Sequence, residues 1–564
     1  VVLSATSETE GEPSSFVVFA MVSDGGLVKA EMTYAVELQC DDENTRHYRH
    51  ISIGSGSLAS SPESLMDAEG TIPNLMARSR TLFTTRQCMG VRDIEVCQIE
   101  GKKQFWTKGM LKWKNYNDVL HDVDAAARGL LAMPTLRTLQ SSRTCVAAIL
   151  ADTSADWNMS AQACFRCGFP VTTVYTTLGH EAMTYGLTQT EAAILFVDWG
   201  QYHILKDSVI SKCPDLKAVV FIGKCFVPLS IVGGKCPFPN FPTPDSAKHM
   251  SNSKFQTTSL ERLIEVGHAK DTDLTAVAPS EKDTALIMYT SGSTGLPKGV
   301  MITHKNICAG IAVSMDSVSM QEVFGGGAFM AFLPLAHIFE FTMEMAVLAS
   351  GSQIAYAHAR TVTPRSPYVP AENPDNCDLI EAKPALIAAV PAILQLIELS
   401  LKRRLSTMTG FRGRLLRGAV NKVQGIPAGE GWAVDSLLSV GLGPTLLNKF
   451  QAELGLERLR LIISGGAPLA AHTHKFFRSA VAPVAQGYGA TESCGFMTCQ
   501  ECFPVAGRPA DVSLGTVGSI MPCCEVKLRS VPEMGYLVTD SPPRGEILMG
   551  GNTVSQQGYF KMVD

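Results

Sequence analysis

The stretch richest in chemistry is TSGSTGLPKG at 290–299. Glycines let backbone N–H groups approach an anion, hydroxyls add donors, and Lys298 supplies a mobile positive charge. These are the parts of a polyphosphate cradle. The spacing is not that of a Walker A loop, which needs Gly, four residues, then Gly-Lys-Ser/Thr. Counted from Gly292, Pro297 falls where the second glycine should be and Gly299 where the hydroxyl should be. A P-loop kinase or ATPase is therefore disfavoured. Further along, His337, Tyr488 and Glu492 offer an imidazole, a flat ring and a carboxylate. Taken singly, each has a plainer use: a core histidine, a packing aromatic, a carboxylate facing a helix N-terminus.

An apolar run at 285–289 leads into the loop as a strand. Upstream, 113–131 spaces its apolar residues as a helix. Residues 144–151 (TCVAAILA) form a buried-strand pattern that stops at an Asp152-Thr-Ser turn, and 157–167 is helical again. Residues 192–197 and 218–222 are further short β-branched runs, each after a helical stretch. This alternation predicts an α/β region whose parallel strands are covered on both faces. Residues 1–80 lack strong periodicity and are expected to be a peripheral lead-in. The segment 366–442 opens Pro-rich, continues with a helical stretch at 385–405, and carries Lys402, Arg403, Arg404, Arg412, Arg414 and Arg417. A solvated helix face is favoured there over an anionic membrane or substrate contact. The strand pattern returns at 459–464.

Composition narrows the classes. With 46% hydrophobic and 18% charged residues, wholesale disorder is excluded. The charge sum of 48 − 53 = −5 argues against a broad basic surface for nucleic acid. The 16 cysteines are scattered, and Cys164/Cys167 has C-x-x-C spacing without a second pair at zinc-ribbon distance. Free thiols in a reducing, cytosol-facing compartment are expected. No uninterrupted run of 18 apolar residues marks a membrane span. No secretory signal is legible, since the first basic residue is Lys29.

A series of motifs in a fixed order resembles that of the adenylate-forming (AMP-binding) superfamily, which includes acyl-CoA synthetases, luciferases and nonribosomal peptide adenylation domains. YTSGSTGLPKG at 289–299 resembles its signature loop. LPLAH at 333–337 resembles the motif whose histidine lies beside the reacting carboxylate. SGGAPL at 464–469 resembles the turn that holds adenine. QGYGATE at 486–492 resembles the motif that stacks on adenine and reaches the α-phosphate and magnesium. GEILMG at 545–550 resembles the next strand, and GYFK at 558–561 the segment after it. The phrases PLAHIFE, AAVPAILQLI, LIISGGAPL, QGYGATES, ILADTSADW and the 88–92 stretch resemble the long-chain fatty acyl-CoA synthetase branch. The resemblance runs from about residue 85 to the last residue.

It implies a ligase, a long-chain fatty acid–CoA ligase, that turns a fatty carboxylate and ATP into acyl-AMP and pyrophosphate, then passes the acyl group to coenzyme A. A medium-chain or aryl acid–CoA ligase is the nearest alternative. A non-catalytic nucleotide- or acyl-binding protein is the alternative from another class. By resemblance, Ser291, Gly292, Ser293, Thr294, Gly295 and Lys298 hold the β- and γ-phosphates. Tyr488 and Gly489 face adenine, with Gly465, Gly466 and Ala467 close beneath it. Thr491 donates to the α-phosphate, Glu492 binds Mg2+ with Thr290 as a second oxygen ligand, and His337 orients the carboxylate. The apolar segments 329–332 and 338–341, with Ala346, Ala349, Ser350 and Gly351, fit an acyl channel and core packing equally well.

The implied fold is a large body of two doubly wound α/β subdomains and a distorted β-barrel over 85–564, preceded by a variable lead-in at 1–84 and interrupted by a helical, basic insertion at about 366–442. The sequence opens on Val1 and ends at Asp564, before the family's C-terminal lid domain would begin. An incomplete gene model or a fragment is expected ahead of a natural truncation with a different job, and the polypeptide as given is expected to bind ATP but adenylate poorly. The branch also implies peripheral contact with the endoplasmic reticulum or another lipid membrane.

Overall fold

The computed structural model describes residues 2–6, 15–19, 35–38, 44–50, 58, 70–136, 145–175, 179–233, 254–290, 297–423, 448–449, 451–504 and 510–562. The β-branched runs of the sequence form its first large sheet. Ala147–Leu150, Ile194–Asp198 and Ala218–Ile222 lie parallel, every residue but Asp198 buried. Strands buried on both faces need helices above and below, which explains their continuous apolar runs. The sheet has seven strands in the order Gln256–Ser259, Ala218–Ile222, Ile194–Asp198, Ala147–Leu150, Val171–Thr173, Thr284–Thr290, Lys298–Thr303. Only the last pair is antiparallel.

A second sheet has nine strands. Its parallel centre runs Val484–Tyr488, Leu461–Ser464, Leu386–Ala389, Ala328–Ala331, Gln353–Tyr356, Gln87–Val91. Antiparallel strands flank it: Thr498–Cys499 and Ser519–Ile520 at one edge, Lys112–Asn115 at the other. Beside these two sheets stands a four-stranded antiparallel sheet of Ala35–Leu38, Thr45–His50, Cys524–Arg529 and Glu546–Gly551.

Several elements differ from the sequence expectation. The helix expected from residue 113 starts at Tyr116. Lys112–Asn115 pairs as a strand with Gln87–Val91, and the Asn115 side chain caps the helix by accepting the Asp118 N–H at 2.8 Å. The 385–405 stretch is not one helix. Leu386–Ala389 is a central strand, and Pro391–Thr407 is the helix, opened by a proline that suits a first turn. Short apolar runs carry no period that separates a buried strand from a buried helix. The 366–442 segment is therefore no simple insertion, because it supplies part of the second sheet.

The lead-in is not wholly peripheral either. Helix Ile72–Phe83 buries Ile72, Leu75 and Met76, and Thr45–His50 pairs with Cys524–Arg529. In the basic cluster, Lys402 meets Glu398 at 2.6 Å and Arg404 meets Glu453 at 3.8 Å. Arg417 donates to the Leu405 and Met408 carbonyls at 3.1 and 2.9 Å. Cys164 and Cys167 are buried free thiols, and burial pushes both thiols up.

The helix Ile338–Ala349 runs through this core. Phe341 touches Trp157 and Phe165 edge-on, so core packing accounts for it, as for the buried Phe329. One helical turn apart on the same helix, Glu340 and Glu344 are 1% and 0% exposed. Asn158 and Tyr356 each donate to Glu344 Oε2 at 2.7 Å. Glu344 Oε1 has no hydrogen-bond partner among the described residues, and the donors nearest the Glu340 carboxyl are the backbone N–H groups of Phe332 and Leu333. Burial, reinforced by the neighbouring Glu344 charge, drives Glu340 upward. Burial lifts Glu344 to about 8 against the pull of its two donors. Two adjacent carboxylates cannot both ionise cheaply in a dry core, so the pair retains a proton at neutral pH.

An acid whose folded pKa exceeds its unfolded value favours the folded state most at low pH. Its contribution is full below about 4.5, the ordinary Glu value, and is lost as pH rises toward about 8. Denaturant titrations should show stability falling over that window. Glu340→Gln, which mimics the protonated acid, should flatten the fall; an unchanged slope would count against a shared proton.

Candidate active site

Three of the sequence motifs leave parallel strands of the nine-stranded sheet at their C-terminal ends. Ala328–Ala331 leads to His337, Leu461–Ser464 to Gly465 and Gly466, and Val484–Tyr488 to Gly489, Thr491 and Glu492. Thr290 ends a parallel strand of the seven-stranded sheet. This is the edge at which open α/β sheets bind ligands. Side chains at the ends of the first sheet's strands fasten the two edges together. Thr153 Oγ1 donates to the Leu333 carbonyl at 2.5 Å and accepts the Leu335 N–H at 2.9 Å. Thr173 Oγ1 donates to the Ala336 carbonyl at 3.0 Å. The loop ending in His337 is thus held by both sheets.

His337 is the N-cap of helix Ile338–Ala349, its Nδ1 accepting the Phe339 N–H at 3.2 Å. That bond leaves Nε2 to carry the proton of the neutral ring. Surrounding protein lowers the histidine below its ordinary 6.5 although the ring is exposed. Phe339, two residues on, faces the glycine turn: a Cβ on Gly465 would lie 3.8 Å from its ring and 3.6 Å from the Gly487 carbonyl. Gly466 has φ +80°, a left-handed turn that favours glycine, and Gly466 and Ala467 are exposed.

The cationic and anionic members meet through a residue to which the sequence reading gave no role. Thr290 and Lys298 are opposite partners in the antiparallel pair that closes the loop. The Lys298 ammonium lies 5.1 Å from the centre of the Tyr559 ring. The Tyr559 hydroxyl donates to Glu492 Oε1 at 2.9 Å. Backbone bonds lock this arrangement: Phe560 N–H to the Gly299 carbonyl at 2.8 Å, Met301 N–H to Gly558 at 3.0 Å, and Ser555 N–H to Glu492 at 2.7 Å. Glu492 Oε2 accepts no hydrogen bond among the described residues. Ser291, Gly292, Ser293, Thr294 and Gly295 lie outside the described residues.

Tyr488 is half-buried beside Glu492; burial first, and then that carboxylate, raise its hydroxyl. Thr491 and Glu492 sit half-buried in the turn Thr491–Ser493, where the Ser493 hydroxyl accepts the Ala490 N–H at 3.0 Å. Gly489 has no space for a side chain, since a Cβ would fall 2.2 Å from the Gly495 carbonyl. Lys298, Thr290, Glu492, Thr491 and Tyr488 therefore come together, and Phe339, two residues after His337, reaches the Gly465 turn. Tyr559, Thr153 and Thr173 were missed. Tyr559 stood in a recognised segment, and its position after Gly558 was the available signal.

The model of the AMP-binding enzyme family matches residues 98–560. The chain belongs to that family. Among relatives of this AMP-binding enzyme, the long chain acyl-CoA synthetase 8 of Arabidopsis thaliana is 31% identical over 504 residues, 88% of this chain and 64% of that protein. The long-chain-fatty-acid–CoA ligase 2 of Schizosaccharomyces pombe is 30% identical over 551 residues, 93% of this chain and 72% of that protein. The chain thus spans about two thirds of their length.

Among solved structures, the adenylation domain of a carboxylate reductase from Mycobacterium chelonae superposes with a TM-score of 0.62 at 19% identity, covering 89% of this chain and 69% of that one. A long-chain-fatty-acid-CoA ligase from Archaeoglobus fulgidus gives 0.54 at 16%, covering 88% and 78%. At these identities the likeness concerns the fold: this AMP-binding enzyme is built as an adenylation body.

The double duty of His337 as cap and as open donor separates two variants. His337→Ala should lower folding stability by about 1 kcal/mol through the lost cap, whereas His337→Asn, a good N-cap, should stay near wild type in denaturant melts. Equal losses in both would show that the cap is immaterial.

Proposed function

We propose that this protein is a long-chain fatty acid–CoA ligase. A carboxylate oxygen attacks the α-phosphorus of ATP and pyrophosphate leaves, giving acyl-AMP. The coenzyme A thiolate then attacks the acyl carbon and AMP leaves. The observation that carries this reading is Tyr559 joining Lys298 to Glu492, one cation and one carboxylate at the mouth of a glycine- and hydroxyl-rich loop. The names of the relatives support the acid and thiol substrates.

In this reading Lys298 and the 291–295 loop bear the charge of the departing pyrophosphate, and Thr491 donates to the α-phosphate. Tyr488 lies against adenine with Gly489 beside it, over Gly465, Gly466 and Ala467. His337 donates from Nε2 to the fatty carboxylate and fixes its approach. Glu492 Oε2, which accepts no hydrogen bond among the described residues, and the Thr290 hydroxyl are hard oxygen donors of the kind magnesium prefers. Bound there, the ion supplies charge neutralisation on the phosphates. Preorganised donors at developing charge account for most of such catalysis.

Carboxylate-dependent ATP–pyrophosphate exchange, measured on the protein expressed from its complete coding sequence, tests this. Palmitate should support exchange better than octanoate or coumarate, and Glu492→Gln should lower it by about a hundredfold or more. Exchange driven equally by coumarate would favour the aryl-acid reading. Full exchange in Glu492→Gln would remove the site as drawn.

The proposal extends to the cytosolic face of the endoplasmic reticulum or another lipid membrane, since the substrate is a lipid. No helix among the described residues is long and apolar enough to cross a bilayer. Support for peripheral contact comes from helix Pro391–Thr407, where Leu396 and Leu399 are 63% and 50% exposed and share a face with Arg403. Co-sedimentation with anionic vesicles should occur and should weaken in a Leu396→Asp, Leu399→Asp double variant. Binding that ignores this change would move the contact elsewhere.

A further inference from the structure

Helices Tyr116–Leu131 and Leu260–His268 touch backbone to backbone. A Cβ on Gly267 would lie 1.7 Å from the Ala125 carbonyl, and one on Gly129 would lie 2.2 Å from the Leu263 carbonyl. No side chain separates the helices at these points, so their relative position is fixed. His121 stands one turn before Ala125, and His268 directly follows Gly267. The close contact therefore delivers two imidazoles to the same spot. Their ring centres are 4.6 Å apart, tilted by 38°. Asp122, next to His121, places Oδ1 3.3 Å from His268 Nε2.

We infer that His121, Asp122 and His268 form a surface site for one zinc-class divalent cation. One ligand atom from each residue lies within 4.8 Å of the other two, and this is the only such grouping among the described residues. In a tetrahedral zinc site with bonds of about 2.0–2.1 Å, ligand atoms stand about 3.3 Å apart. The Asp122–His268 edge already has that spacing. Any wider edge has about 1.5 Å or less to close from 4.8 Å, within reach of exposed imidazoles turning about their side-chain bonds.

Lys114 holds the other Asp122 oxygen, Oδ2, at 2.8 Å, so Oδ1 is the one turned toward the imidazole. Both histidines are exposed, which leaves water to complete the shell. Two nitrogen donors and one carboxylate oxygen suit zinc, nickel or copper better than magnesium or calcium. Competing thiols are buried or half-buried among the described residues. None of the three ligands belongs to the nucleotide site, so the inference stands apart from the proposed activity. An ion here would tie the end of one helix to the middle of another and stabilise the folded chain by mass action.

Calorimetric titration with Zn2+ alone, in excess Mg2+ to occupy the Glu492 region, tests the site. Wild type should bind one ion. His121→Asn and His268→Asn should each weaken binding by at least about tenfold, the loss that even an outer-shell partner causes. His472→Asn, an exposed histidine on helix Ala471–Ala480, should leave it unchanged. Zn2+ should raise the melting temperature of wild type and of His472→Asn only. Absence of zinc binding to wild type, or binding unaltered in both ligand variants, would overturn the inference.

Discussion

The placement of Tyr559 between two opposite charges is the constraint on which the candidate site depends. Its ring lies against the Lys298 ammonium and its hydroxyl rests on Glu492. Each contact is modest, about 0.5–1 kcal/mol for the cation over the ring and roughly 1.5–3 kcal/mol for a hydrogen bond to a charge. Their value lies in what they prevent. A lysine and a glutamate side by side would neutralise each other, leaving neither free for phosphate or for a metal ion. With a ring between them they make no ion pair with each other among the described residues, so neither is engaged by the other directly.

Holding those three side chains requires two sheets to meet edge to edge. Lys298 begins the outermost strand of the seven-stranded sheet, and Glu492 follows a strand of the nine-stranded one. Two threonines at the first sheet's strand ends bond the loop that delivers His337. The 558–560 segment then pairs with Gly299, Val300 and Met301, bringing Tyr559 across. The burial of nearly every residue in the central strands supplies the rigidity that such weak polar contacts lack. The buried Glu340–Glu344 pair lies on the helix that His337 caps.

Much of this was legible in the sequence because chemistry leaves local marks. The glycines and Lys298 of 290–299, and the order of the later motifs, pointed to the candidate site. The runs at 144–151, 192–197 and 218–222 pointed to parallel strands covered on both faces by their apolar, β-branched character. What stayed hidden was non-local. Leu386–Ala389 looked helical because four apolar residues carry no usable period, and only its neighbours on either side make it a strand. Lys112–Asn115 alternates lysine with other residues and became a strand only by pairing with Gln87–Val91. Tyr559 looked like any aromatic after a glycine, since nothing local announces that its hydroxyl will land on a carboxylate 67 residues upstream. The same is true of His121 and His268, which are adjacent only because Gly267 lets two helices touch.

Under the proposed function, the 290–299 segment and the Glu492 turn act on a single bound nucleotide. A double-mutant cycle of Lys298→Ala and Glu492→Gln on magnesium–ATP affinity addresses it most directly. Groups acting on one bound phosphate chain and its ion should couple, giving a double-variant loss that departs from the sum by more than about 0.5 kcal/mol. Strict additivity, or unchanged affinity in either single variant, would mean that the two segments serve separate purposes and would contradict the account.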